Sequence, residues 1–252
     1  MYTFFFVGTA GAGKSSLVAA FHTWMEMQKY DSIIVNLDPG AEVLKYMPDI
    51  DIREWISIEE IMREHELGPN GAQIVAADML AMNVTDVRNY IEKYGADYVL
   101  VDTPGQIELF AFREASKHVA DGISSGHSLL VYLLDPMLAK TPTGLVSLLM
   151  LGATIQYRFN YPLVNVLSKC DLLSAGEIER IVSWCEEPFR LYEAISRDVR
   201  VDDRLVNTEF FKSLENLGVF SKIIPTSSVD LTGMEDVFNV LQQVYMGGEE
   251  FD

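Results

Sequence analysis

Cysteine is scarce in this chain. Cys170 and Cys185 are the two cysteines in 252 residues, too few for a disulfide framework, so a reducing, cytoplasmic setting is expected. Histidine is nearly as rare. His22, His65, His118 and His127 show no metal-ligand spacing, and structural roles are expected of them. Positive charge is also short: 19 lysines and arginines stand against 37 aspartates and glutamates, a formal net charge of -18. That balance argues against direct nucleic-acid binding and against an acidic membrane surface. No apolar run is long enough to span a bilayer. The most apolar helical stretch, 145–155, is too short and is flanked by Lys140, Pro142 and Arg158, which suits a buried helix or one lying in an interface. Internal repeats and low-complexity tracts are missing, and Met1 leads almost directly into an apolar strand, so no signal peptide is expected.

What is present is ordinary globular material, 49% hydrophobic and 22% charged, enough for one large α/β domain over 1–246 with a short tail at 247–252. Apolar runs read as buried strands at 3–7, 32–37, 97–102, 128–134, 162–167 and 222–225. Between them lie helical stretches: from the first glycine cluster to about Lys29, from Ser57, over 74–94, around 145–155, over 174–217 and over 234–245. Ser57 and Glu60 predict a capping box. The segment 41–53 reads as mostly irregular, and 67–71 as a cluster of helix breakers. Helical insertions are expected over about 41–95 and 174–220. Strands alternating with helices predict a mostly parallel central sheet with helices on both faces. The 64 residues from Asp38 to Asp102 (102 − 38) require a crossover between those strands.

The strongest motif is Gly8-Thr-Ala-Gly11-Ala12-Gly13-Lys14-Ser15, set between the first strand and the first helix. It matches the phosphate-binding loop G-x-x-x-x-G-K-[ST] in the context that motif requires. Glycines let backbone N–H groups approach phosphate oxygens, and the helix start adds its unpaired donors and positive dipole end. Lys14 is expected on the β- and γ-phosphates, Ser15 on Mg²⁺ and Ser16 on the α-phosphate. Asp102-Thr-Pro-Gly105-Gln106 follows another strand. Its aspartate can hold Mg²⁺ and its glycine N–H can meet a γ-phosphate, while Gln106 and Glu108 can position water. Asp38, after the second strand, can face the metal, the γ-phosphate or the attacking water. Ser168-Lys169-Cys170-Asp171 resembles the guanine-reading motif Asn-Lys-x-Asp: Asp171 accepts from the guanine N1–H and 2-amino group, and the Lys169 stem lies along the base. Thr226-Ser227-Ser228 can offer a backbone N–H to guanine O6. Asp135-Pro136 reads as a strand-ending turn, and Met79 to Met82 as core.

Together with Gly68-Pro69-Asn70, the segments Asn36-Leu-Asp38-Pro39, Asp102-Thr-Pro-Gly-Gln-Ile-Glu108 and Ser168-Lys-Cys-Asp171 resemble the GPN-loop GTPases, in that family's order and over nearly the whole chain. Serine before the lysine of the base motif also occurs there, and Gly40 stands where many members have alanine. The resemblance implies a P-loop NTPase fold of a short, archaeal-type member. It implies Mg²⁺-dependent conversion of GTP to GDP and a homodimer in which Asn70 reaches the partner's site. It also implies assistance to assembly of protein complexes, RNA polymerase among them, through client proteins. Two other readings stay open. One is a P-loop kinase with an arginine-bearing lid over 190–204, where a solvated mixed-charge helix is the bland account; the other is a scaffold that binds nucleotide without turnover.

Overall fold

The computed structural model describes residues 1–198, 211, 212, 214–216 and 218–247. Seven strands form one sheet in the order β3-β2-β4-β1-β5-β6-β7, and every pairing is parallel. They are β1 Tyr2–Gly8, β2 Ser32–Asn36, β3 Ile50–Asp51, β4 Tyr98–Asp102, β5 Ser128–Leu134, β6 Leu163–Leu167 and β7 Ile223–Pro225. The period of two explains why their sequences are apolar throughout. Phe4 and Phe6 of β1 face one core, shared with Phe21 and Phe238. Phe5 and Val7 face the other, shared with Phe110 and Phe159. Helix α1 (Lys14–Met27) and the last helix α11 (Met234–Tyr245) cover the first face.

The opposite face is covered by α2 (Ile58–His65), α3 (Pro69–Met82), α4 (Val84–Tyr94), α5 (Ile107–Ala111), α6 (Glu114–Ile123) and α8 (Pro142–Phe159). Helices α7 (Pro136–Ala139), α9 (Ala175–Glu186) and α10 (Pro188–Asp198) lie beside these, and residues 211, 212 and 214–216 are also helical. Helix α8 contains the apolar stretch 145–155 and is one-sided after all. Leu145, Leu148, Leu149, Gly152, Ile155 and Phe159 are buried, while Tyr157 is exposed. The rest of the expected helical span 174–217, at 199–210, lies outside the described residues, as does most of the tail.

Several local expectations are corrected. The irregular segment 41–53 contains β3, an edge strand paired to β2. The expected helix 74–94 is two helices broken at Asn83, whose side-chain amide donates to Met79 O at 2.8 Å. Helix α3 starts at Pro69 with Gly68 as its N-cap, so the Gly-Pro-Asn triplet opens a helix where breakers were expected. Proline suits the first helical position because its missing N–H has no partner to lose there. Ser57 makes half of the expected box, accepting from Glu60 N at 3.3 Å. A fuller reciprocal cap sits at Ser174 and Glu177. Asp135 caps α7 by accepting from Met137 N, so its turn is a helix start. Met79 packs against the core, but Met82 is exposed.

Candidate nucleotide site

The phosphate loop, Asp38, Asp102 and the Ser168–Asp171 motif lie at the carboxyl edge of the sheet, where parallel α/β sheets bind their ligands. The loop after β1 needs its glycines: Gly11 and Gly13 have φ of 78° and 98°, a region costly for residues with a side chain. A Cβ on Gly13 would also meet Lys169 Cε at 3.1 Å. The Ala12 methyl is buried in the core and anchors the loop. The first turn of α1 holds no acidic residue, so its dipole is free to receive an anion. Lys14 is buried and donates to Gly8 O at 2.9 Å, Thr9 O at 3.2 Å and Gly105 O at 3.3 Å. Burial lowers its pKa, and the charges of Asp102 and Asp38 oppose that shift. Ser15 and Ser16 follow it in the first turn of α1.

Asp102 ends β4 and is 1% exposed. Its Oδ2 accepts from the Tyr46 hydroxyl at 2.7 Å, while its Oδ1 is buried without a hydrogen-bond partner. Burial raises its pKa; the Ser15 hydroxyl, the Tyr46 hydroxyl and the Lys14 ammonium pull it down. The Ser15 hydroxyl is thus close enough to the carboxylate to ease its charge. A buried oxygen left over beside a serine hydroxyl is the donor set a hard divalent cation takes. No cluster of three or more His, Cys, Asp or Glu able to hold a metal occurs among the described residues.

Asp38 spans two loops. Its Oδ1 accepts from Gly40 N at 2.9 Å and its Oδ2 from Gly105 N at 2.8 Å, so the N–H expected at a γ-phosphate is bonded to a carboxylate here. Gln106 donates to Asn70 Oδ1 at 3.2 Å within one chain, which brings Asn70 beside the site of its own subunit. Glu108 is exposed on α5 and makes no hydrogen bond to the other site residues among those described. The Lys169 ammonium donates to Gly11 O, laying its stem across the phosphate loop. Ser168 is turned inward, donating to Leu134 O at 3.0 Å, and Asp171 is exposed in the following 3₁₀ turn. Ser227 is a partial correction: its N–H bonds Thr232 O at 3.2 Å, so of the two serines Ser228 is the one with an N–H to offer. In the proposed arginine lid, Arg190 pairs with Glu187 at 2.8 Å; the side chains of Arg197, Arg200 and Arg204 lie outside the described residues.

Several residues have roles here that sequence reasoning did not give them. Tyr46 is the first. Asn36, Asp51 and Arg53 form a bracket: Asn36 donates to Asp51 Oδ1 at 2.9 Å, and Arg53 bonds Asp51 and also Ala41 O at 2.8 Å. The bracket holds Asp51 below the usual carboxylate range although burial opposes it. Thr103 ties the Asp102 loop to β1 by donating to Phe6 O at 2.7 Å. Gln73 of α3 reaches the loop at Gly40, where an added Cβ would meet its Nε2 at 2.7 Å. Only Asn36 carried any local signal, as a polar residue at the end of a strand.

A parallel sheet with a glycine loop, Lys14 and Ser15 at the first helix and Asp102 at the end of the neighbouring strand β4 has the architecture of the P-loop nucleoside triphosphatases. The family model described as "conserved hypothetical ATP binding protein" matches residues 6–247. The GPN-loop GTPase PAB0955 of Pyrococcus abyssi is 40% identical over 185 residues, 72% of this chain and 73% of its own length. GPN-loop GTPase 1 of Dictyostelium discoideum is 28% identical over 92% of this chain, which spans 58% of that protein's length. The crystal structure of the P. abyssi GTPase in apo form superposes with a TM-score of 0.86 at 32% identity, covering 97% of both chains. The chain belongs to the GPN-loop GTPase family. No helix among the described residues is long and apolar enough to cross a membrane.

Proposed function

We propose that this chain binds GTP with Mg²⁺ and hydrolyses it as a nucleotide-gated homodimer. The observation that carries this reading is the convergence of Lys14, Asp38, Asp102, Gly105 and the Lys169 stem at one sheet edge. Lys14 exchanges its carbonyl partners for β- and γ-phosphate oxygens, while the first turn of α1, with Ser16, receives the α- and β-phosphates. Gly105 N–H passes from Asp38 to a γ-phosphate oxygen, which releases the Asp38 carboxylate to orient water with Gln106. Glu108 joins them if α5 turns inward on binding. Ser15 and Asp102 would hold Mg²⁺, which when bound would supply charge neutralisation at the β- and γ-phosphates. Asp171 accepts from the guanine edge and Lys169 covers its face. Because Asp38 and Gly105 bond each other now, ordering one loop around phosphate reorders the other, the basis of a switch. Family membership supports Asn70 acting in the partner's site and a role in assembling protein complexes such as RNA polymerase.

The matching family model is described as ATP-binding and the relatives are GTPases, so base choice is the test. Hydrolysis of GTP and ATP is measured with and without Mg²⁺. GTP is expected to be preferred by the wild type, with the preference falling about 100-fold or more in Asp171→Ala, because two hydrogen bonds to a charged acceptor are lost. Equal use of the two nucleotides by the wild type would defeat the guanine assignment.

A further inference from the structure

We infer that Tyr46 is a positioning residue for the metal-binding carboxylate: its hydroxyl holds one oxygen of Asp102 so that the other is presented to a bound divalent cation and its water shell. The inference rests on the Mg²⁺-dependent reading above and adds a residue to it. The Tyr46 hydroxyl donates to Asp102 Oδ2 at 2.7 Å across 56 residues of sequence. Asp102 Oδ1 is buried and unpaired. Buried polar atoms rarely stay unpaired, and a carboxylate satisfied on one oxygen and open on the other is the state of a metal ligand oriented by an outer partner.

The loop that carries Tyr46 strengthens the case. Both its ends are clamped: Asn36 and Arg53 hold Asp51, Arg53 holds Ala41 O, and Asp49 Oδ2 accepts from Ile34 N at 2.8 Å. Between the clamps, over 42–48, the Tyr46–Asp102 bond is the one hydrogen bond among the described residues. The Tyr46 ring packs against the core cluster of Phe4 and Phe6, which sets the hydroxyl at a fixed height over the sheet edge. The seating of this loop and the orientation of Asp102 are therefore one event, so the loop after Asp38 senses the metal through Tyr46.

The test titrates MgCl₂ against retention of a fluorescent GDP analogue, N-methylanthraniloyl-GDP, by the full chain. Tyr46→Phe keeps the ring and removes the hydroxyl. Its Mg²⁺ half-point is expected to rise about 10- to 100-fold, the usual effect of losing an outer-shell partner, with analogue affinity in EDTA unchanged. A purely packing role would weaken binding in EDTA equally, and that result, an unchanged half-point or a lowered one overturns the inference. A wild type whose retention ignores Mg²⁺ overturns it together with the metal-dependent reading, which separates the two failures. A second measurement does not depend on the variant folding. In wild type with GDP, amide exchange over 42–48 is expected to slow when Mg²⁺ replaces EDTA; unchanged or faster exchange overturns the inference.

Discussion

Asp102 carries charge where the fold gives it little support. It is buried, one oxygen is unpaired, and burial drives its pKa upward. A site held ready for a cation costs stability while the cation is away. Asp102→Asn is therefore expected to raise the melting temperature of the metal-free protein, by about 2–4 °C for each kcal/mol regained, and to abolish further stabilisation by Mg²⁺ with GDP. Scanning calorimetry in EDTA and then in MgCl₂ reads both, and an unchanged or lowered melting temperature in EDTA would show that the charge is no burden. Gly13 makes the opposite kind of demand. With φ of 98° and Lys169 Cε 3.1 Å from a Cβ position, Gly13→Ala pays about 1–2 kcal/mol for a left-handed residue and pushes the lysine stem off the loop. Nucleotide binding should fall more than tenfold in equilibrium titration. Wild-type affinity would show that neither constraint matters.

At the scale of elements, helix starts decide much of the local architecture. Helix α9 begins with Glu177 accepting from both the N–H and the hydroxyl of Ser174, and Lys140 lies 3.2 Å from the same carboxylate. The Ser174 backbone bond leads in holding Glu177 down at about 2, from an ordinary 4.5. Because the folded value is the lower one, the cap's contribution is whole above the ordinary value and is lost as pH falls toward the depressed one. The urea midpoints of wild type and Glu177→Ala should differ by a constant amount near neutral pH and converge as the solution is acidified through that window. A gap that stays constant through the window would mean the carboxylate is not what caps α9. Helix α3 shows the same logic in another form. Gly68-Pro69-Asn70 begins a helix, so Asn70 is presented from a rigid first turn whose proline presets φ, beside Gln106.

Across the whole molecule the question is whose site Asn70 serves. The Gln106–Asn70 bond lies within one chain, whereas the proposed homodimer has Asn70 act in the partner's site. Lys14→Ala and Asn70→Ala should each be nearly inactive alone. Mixed under subunit exchange, they should regain activity if Asn70 acts in trans, because one of the two sites then has both residues intact. Confirmed exchange without recovery would place Asn70 in its own subunit's site, with Gln106 as its partner.

Much of this was legible before folding. The strands were readable because a parallel sheet buried on both faces needs uninterrupted apolar runs, and the phosphate loop because strand, glycines, Lys14 and Ser15 are contiguous. Turn-forming φ and helix starts are local properties, and local properties are written locally. Strand β3 escaped because two residues make no period, and the break at Asn83 because the helical pattern continues through it. What the tertiary structure decided is which distant groups meet: Tyr46 with Asp102 across 56 residues, Asp38 with Gly105 across 67, Gln106 with Asn70 across 36. Those meetings depend on how β2, β4 and β1 lie side by side and how α3 packs over them. Sequence alone determined the family and the nucleotide motifs that mark it, since each motif is a contiguous stretch. Only the packed sheet decided how those groups hold one another, because a hydrogen bond between remote residues exists only once the crossovers that join them are in place.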